Sequence, residues 1–318
     1  MTHPATHLHV AALTPETAHW WVEAGPAVPD PAAAAAQIRA FVTDTPNGAL
    51  LAAMDGDRAL ARLQVCPVGA CGLGLFAIGG REGEDDQALA RAADALLSRA
   101  IAIGRDTPGV RYLETDLPSA MPHAALWRDA MARAGVSEVA VSHTYALDLG
   151  DGDRPAGPAR TLVCRPAGPL APEALVAIYA ATYEGTADES HRLSPESFAV
   201  RLERLRAIPV LAPDGSGWRV AFEGDRPLGL VFASPEAPPH GDPANGWIVE
   251  IGIAPAARGR GLGRALLETG LAALAERGVR RVLARIDDRN LPSVRLHTGA
   301  GFARQPGASR LYRLVWPQ

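Results

Sequence analysis

The sequence predicts two copies of one mixed α/β domain, each a central mixed β-sheet flanked by helices. Three observations carry this. The chain has 318 residues, long for one compact domain and natural for two. The run GDGDRPAGP at 150–158 is all Gly, Pro, Asp, Ala and Arg, cannot pack, and reads as a linker. On either side of it the expected elements follow one order: β, α, α, β, β, β, α, β, α, β, β. A repeat that long points to duplication. The expected division is residues 1–150, a linker at 151–159, and residues 160–318.

In the first copy, Thr14–Glu23 reads as a helix with Thr14 as N-cap and Pro15 at its first position. Pro31–Asp44 is a second helix. Ala49–Met54 and Arg58–Val65 flank Asp55-Gly56-Asp57 and form a hairpin. Leu73–Ile78 is a strand and Asp86–Arg105 a long amphipathic helix. Strand Arg111–Thr115, helix Ala120–Ala134 and two short strands within Val136–Leu149 complete the copy. In the second, strand Thr161–Arg165 precedes helices Pro172–Tyr183 and Ser194–Arg206. A hairpin, Trp218–Glu223 with Pro227–Ala233, turns at Gly224-Asp225. Then come strand Trp247–Ala254, helix Leu262–Arg277, strand Arg280–Ile286 and helix Leu291–Ala300. Strands Phe302–Arg304 and Arg310–Val315 end the chain.

Composition narrows the function. All 31 basic residues are arginine, and the net charge of -4 argues against a general nucleic-acid binder. The three cysteines match no zinc spacing and no disulfide framework, so reduced thiols and no metal are expected. The N-terminus has no signal-peptide pattern and no apolar run nears the length of a membrane span. A cytoplasmic protein without membrane partners is expected, as a monomer or homodimer.

Chemistry concentrates in Trp247–Leu283. A mostly apolar strand leads into Arg258-Gly259-Arg260-Gly261-Leu262-Gly263, and a helix follows directly. Glycines let a backbone approach a ligand, and a helix N-terminus offers free amides and a positive dipole end. Two arginines add forked donors suited to phosphate. The stretch therefore reads as a pyrophosphate cradle. A Rossmann unit fits poorly: Arg264 occupies the third glycine position, Pro255-Ala256-Ala257 is an extra stretch, and the unit comes late in its domain. A Walker loop is excluded, since no lysine follows the glycines.

Arg258-x-x-Gly261-x-Gly263 resembles the (Q/R)-x-x-G-x-(G/A) signature of the GNAT acetyltransferase superfamily. Ile251–Pro255 resembles the family's strand before that loop, Asp287–Ser293 its asparagine-bearing segment, and Leu296–Phe302 its L-Y-x-x-x-G-F. The resemblance covers the second copy and implies acetyl-CoA, or another acyl-CoA, as co-substrate and a small-molecule amine as acceptor. It places the pyrophosphate at Gly259, Gly261, Leu262, Gly263 and Arg264, with Arg258 and Arg260 beside it. The pantetheine would run along Ile251 and Ile253. Asn290, with Ser293, would hold the pantetheine or cap the following helix.

His297 stands where the family often has an acidic tyrosine, and a histidine can protonate a thiolate. It can equally be a packed residue. Tyr312 is a second candidate acid. Glu250 is the candidate base, or an acceptor anchor. Tyr183, Glu184, Asp188, Glu189 and His191 lie in a segment that lines acceptor sites in the family, and suggest a cationic or amine-bearing acceptor. A solvated acidic loop is the alternative. In the first copy, Gly79–Asp86 lacks the signature, and four acids crowd the helix start, where they would repel a pyrophosphate. That copy is expected to be degenerate and structural. The competing function is an acyl-CoA-sensing module without turnover.

Overall fold

A computed structural model describes residues 8–25, 27–44, 49–69, 71–150, 163–208, 210–211, 217–238 and 241–316. The expected linker at 151–159 lies outside the described residues. The chain divides into two compact units: residues 1–140 with 308–318, and residues 141–307.

The first unit contains β1 (Leu8–Ala12), α1 (Ala18–Glu23), α2 (Pro31–Asp44), β2 (Ala49–Asp55), β3 (Arg58–Val68), β4 (Gly72–Gly80), α3 (Asp86–Asp106), β5 (Tyr112–Pro118) and α4 (Ala124–Arg133). Its sheet runs β1-β2-β3-β4-β5 and ends on a strand from the far C-terminus, Ser309–Val315, numbered β13 below. Neighbours are antiparallel except β4 and β5. Alternation along β2 decides what each face buries. Leu51 and Ala53 join Leu96, Leu97 and Trp127 on one side. Leu50, Ala52 and Met54 join Trp21 on the other.

The second unit takes in the latter part of β6 (Ser137–Asp148). It continues through β7 (Val163–Pro166), α5 (Pro172–Tyr183), α6 (Glu189–Arg192), α7 (Phe198–Arg206), β8 (Gly217–Glu223), β9 (Arg226–Pro235) and β10 (Asn245–Ile253). A short 3₁₀ turn, Pro255–Ala257, leads to α8 (Leu262–Ala275), β11 (Arg281–Asp287), α9 (Leu291–Gly299) and β12 (Ala303–Arg304). The sheet order is β6-β11-β10-β9-β8-β7, with β12 also on β6. Leu266, Leu267, Leu271 and Leu274 of α8 pack on Val231, Ala233 and Ile248. Tyr179 and Leu202 cover the other face with Trp218, Leu230 and Phe232. Among the described residues no helix is long and apolar enough to cross a membrane.

Several details depart from expectation. α1 begins at Ala18, with Thr17 and not Thr14 at its N-cap, and α7 begins at Phe198, not Ser194. Residues 136–149 hold one strand, not two, since neither Gly nor Pro interrupts SEVAVSHTYALD. Its residues 142–148 pair with β11 over seven positions, so the compact unit starts well before the Gly/Pro/Asp run. A four-residue helix, α6, forms between the two expected helices because Asp188 caps it, accepting from the His191 amide. The terminal strand β13 lies in the first unit, paired with β5 over seven positions. There Arg313 donates to the Glu114 carboxylate at 2.8 Å, and both residues are buried.

Removing one partner of a buried ion pair leaves an uncompensated charge. Arg313→Leu is expected to destabilise the first unit by roughly 3–5 kcal/mol, read from denaturant melting. An unchanged midpoint would show that Glu114 finds other compensation.

Candidate acyl-donor and acceptor site

The site grows from the way β10 leaves its neighbours. β10 pairs in parallel with β11 only at Asn245–Trp247, opposite Arg281–Leu283. β11 continues to Asp287, still paired with β6. From Ile248 onward the two strands part, and the edge of β10 facing β11 is open. On its other edge β10 stays paired to β9 through Ile253, with a bulge between Ile248 and Glu250. The bulge places an extra residue, Val249, on the strand. Val249 and Glu250 both face α5, where Val249 packs with the Tyr179 cluster and Glu250 accepts from Tyr179. Ile248, Ile251 and Ile253 face α8.

After β10 the chain turns through Pro255–Ala257 and then Gly259 and Gly261, at φ +74° and +77°. Only glycine takes this conformation without strain. A Cβ at either position would stand in open space, with nothing within 4 Å. Gly261 is the N-cap of α8, where no side chain caps the helix and no acid sits in the first turn. The amides of Leu262, Gly263 and Arg264 are first-turn donors, which a helix cannot satisfy internally, at the positive end of α8. Such a helix end, with positive dipole and no capping acid, suits an anion. α3 is different. Asp85 caps it, its carboxylate accepting from the Ala88 amide at 2.9 Å, and Asp86 lies in its first turn. A carboxylate of the chain already holds the place an anion would take.

The arginines are engaged. Arg258 donates to the carbonyl oxygens of Ile253 at 3.0 Å, Thr182 at 3.2 Å and Glu184 at 2.6 Å. Its guanidinium is a latch on the backbone, whereas the sequence suggests a donor to phosphate. Arg260 pairs with Glu223 at 2.5 Å, and Arg264 with Glu268 at 2.5 Å. Both remain about half exposed.

Glu250 is the centre of a buried polar cluster. Oε1 accepts from the Tyr179 hydroxyl at 2.7 Å, and Oε2 accepts from the Tyr183 hydroxyl. His191 Nε2 lies 3.3 Å from Oε1. Tyr183 stacks on the His191 ring, with centroids 4.0 Å apart. Asp188 Oδ1 is 3.3 Å from Nδ1, and Arg201 Nη2 is 3.0 Å from Nε2. Burial would push the Glu250 carboxyl up, but His191, Arg201 and the Tyr183 hydroxyl hold it below the usual range. Burial would lower His191, but Glu250 and Asp188 outweigh it and the net shift is upward. Burial, then the Glu250 charge, raises both tyrosines far above their ordinary value.

The remaining predicted residues have other settings. His297 is 1% exposed, its Nδ1–H donates to the Ser293 carbonyl at 2.9 Å, and Phe302 packs edge-on. Its Nε2 is buried without a partner, and burial lowers its proton affinity. With Nδ1–H held on the Ser293 carbonyl, Nε2 of the neutral ring is an acceptor. Tyr312 is in the core of the first unit, its hydroxyl donating to Glu138 at 3.2 Å. It belongs to the first unit, and the glycine loop to the second. Asn290 caps α9, accepting from the Ser293 amide at 3.3 Å. Glu184 is exposed. Glu189 is buried and pairs with Arg192, while its amide donates to Asp287 at 2.9 Å. Tyr179 and Arg201 escaped sequence reasoning. Tyr179 lies one turn before Tyr183 on α5, which is a readable signal; nothing marks Arg201. Among the described residues no group of three or more His, Cys, Asp or Glu could hold a metal.

Residues 174–302 match the family model described as Acetyltransferase (GNAT) family. The matched residues all lie in the second unit. Members of this family generally use acetyl-CoA. The chain is 40% identical over 92 residues to the mycothiol acetyltransferase of Geodermatophilus obscurus, covering 29% of this chain and 30% of that one. It is 32% identical over 218 residues to that of Nocardia farcinica, covering 56% and 65%. The chain thus spans about a third of the first relative and less than two thirds of the second. In fold, a GCN5-related N-acetyltransferase from Sphaerobacter thermophilus matches 99% of this chain and 97% of its own, with TM-score 0.63 and 20% identity. A tandem GNAT protein from the clavulanic acid biosynthesis pathway matches 98% and 100%, with TM-score 0.56 and 20% identity. The likeness across nearly all the chain shows a tandem GNAT fold.

Two stability outcomes follow from the loop and the cluster. Gly261→Ala should cost about 1–2 kcal/mol through its positive φ alone. Gly263→Ala, at an ordinary φ and with Leu296 no closer than 3.6 Å, should stabilise α8 by up to about 1 kcal/mol. Thermal melts of both variants check this, and equal shifts would refute it. The raised proton affinity of His191 stabilises the fold fully below about pH 6.5 and less as pH rises through the folded value. Urea midpoints at pH 6 and pH 9 should therefore differ more in the wild type than in His191→Gln.

Proposed function

We propose that this protein is an acetyl-CoA-dependent N-acetyltransferase. It acts on the amine of a small molecule by direct attack while both substrates are bound. The observation that carries the reading is the uncapped N-terminus of α8, turned by Gly259 and Gly261, beside the open edge of β10. Bound there, acetyl-CoA supplies an activated acyl group. The amides of Gly259, Gly261, Leu262, Gly263 and Arg264 hold its pyrophosphate, and the open edge of Ile251 and Ile253 holds the pantetheine. Orientation of two substrates in one cleft supplies much of the rate.

On the acceptor side, the Glu250 carboxylate is kept anionic and walled by Tyr179, Tyr183 and His191. A carboxylate beside aromatic rings suits an ammonium group. The curated relatives are mycothiol acetyltransferases, which puts the cysteinyl-sugar amine among the acceptors to try. The neutral setting of His297 favours a departing thiolate that takes its proton elsewhere. We assign the first unit a structural role, because Asp85 occupies the anion position at its helix.

A competing reading, an acyl-CoA-sensing module, predicts binding with no thiol release from any amine. Calorimetry should find one acetyl-CoA site per chain, weakened at least tenfold in Gly261→Asp. No binding, or two equal sites, would sink the proposal.

A further inference from the structure

We infer that His191, rather than Glu250, takes the proton of the acceptor amine, with Asp188 as its positioning residue. This rests on the acetyl-transfer reading above. The argument starts from what surrounds the ring. Tyr183 of α5 covers one face, and Tyr179 of the same helix sets its hydroxyl 3.5 Å from Nε2. Asp188 and Ser190 of the α6 turn each lie 3.3 Å from Nδ1. Glu250 of β10 and Arg201 of α7 both face Nε2.

The two neighbours of Nε2 have opposite needs. An arginine N–H can only donate, so it matches a bare Nε2 lone pair. A carboxylate can only accept, so it matches Nε2–H. With Nδ1–H held on Asp188, the neutral ring is satisfied by Arg201 and the charged ring by Glu250. One proton added to Nε2 exchanges one satisfied arrangement for another. Glu250 lacks this property. Its oxygens already accept from Tyr179 and Tyr183, and a proton there would displace a donor. Its low proton affinity also mismatches the task, whereas a base near the working pH is efficient.

The step balances without a further reactant. Nε2 takes one proton from the ammonium form of the acceptor. The neutral amine attacks the thioester carbonyl of acetyl-CoA, the C–N bond forms, and the C–S bond breaks with its electron pair on sulfur. The second amine proton passes to the leaving thiolate. His191 returns its proton to solvent, and amide, thiol and one proton leave.

The first test needs no turnover. The chain has nine histidines, and His191→Gln assigns the ring signal of His191 by its absence in proton–carbon NMR. That signal should titrate above the ordinary histidine range, and lower in Asp188→Asn. The second test is thiol release with ethanolamine, benzylamine, glucosamine and cysteine methyl ester. The acid limb of kcat/KM should coincide with the NMR midpoint. His191→Gln should lose about 100-fold or more and the limb with it. Its acetyl-CoA affinity by calorimetry should stay within about twofold, which also shows that the unit is folded. Asp188→Asn should lower kcat/KM by less than His191→Gln does and move the limb to lower pH, a shift that loss of the α6 cap alone would not produce. Wild-type turnover in His191→Gln, or a limb abolished only by Glu250→Gln, overturns this assignment and leaves acetyl transfer standing. Acetyl-CoA binding with no thiol release from any of the four amines overturns both.

Discussion

The second unit depends on one constraint: β10 keeps β11 as a partner for only three residues. Every ladder position given up there leaves backbone groups of β10 to be satisfied by something else. The open edge is what a strand-like ligand arm requires. The bulge after Ile248 works on the same strand. It turns Glu250 toward α5 while Ile251 and Ile253 stay on the α8 side. The α6 turn reaches both sides of the opening: His191 meets Glu250 on β10, and the Glu189 amide meets Asp287 at the end of β11.

The first unit repeats the divergence and closes it. β4 and β5 pair only at Gly72–Gly74 with Tyr112–Glu114. Beyond that, the Thr115 hydroxyl donates to the Leu75 carbonyl at 2.7 Å. The chain supplies its own partner at the exposed edge. It does the same at the helix, where Asp85 caps α3. The backbone plan is shared, and the electrostatics are opposed. An N-terminus filled by its own carboxylate has no attraction left for a phosphate, since a second anion would face a like charge a few ångströms away.

Most of the fold could be read from the sequence because its signals are local. Gly-Asp turns and a period of 3.6 in α3 and α8 need no partner to be recognised, whereas the Thr cap of α1 is Thr17, three residues beyond the Thr14 that the sequence suggests. Strand membership was harder. β6 and β13 have ordinary strand patterns, and nothing in LYRLV says that it will pair with β5. Register over long sequence separations is set by the assembled sheet. The cradle was readable because its glycines are a contiguous motif. The acceptor cluster was half readable. Glu250, Tyr183 and His191 stood out as chemistry-bearing residues, but their mutual contact depends on a bulge, a capped four-residue helix and a crossing of α5 over β10. Arg201 depends on all three.

Arg258 shows why a motif residue and its role must be separated. Its place in the signature suggested a charge for phosphate. Its guanidinium instead satisfies the carbonyl at the end of β10 and two at the C-terminus of α5, where orphan carbonyls need donors. That helix carries Tyr179 and Tyr183. One side chain therefore ties β10 to α5, at the point where the glycine turn begins. With the cation committed there, what remains for an anion is the ring of backbone amides, whose positions depend on the turn and not on a flexible side chain. A rigid amide cradle binds without the rotamer entropy that a free arginine would lose. The arginine contributes to the site by fixing where the loop starts.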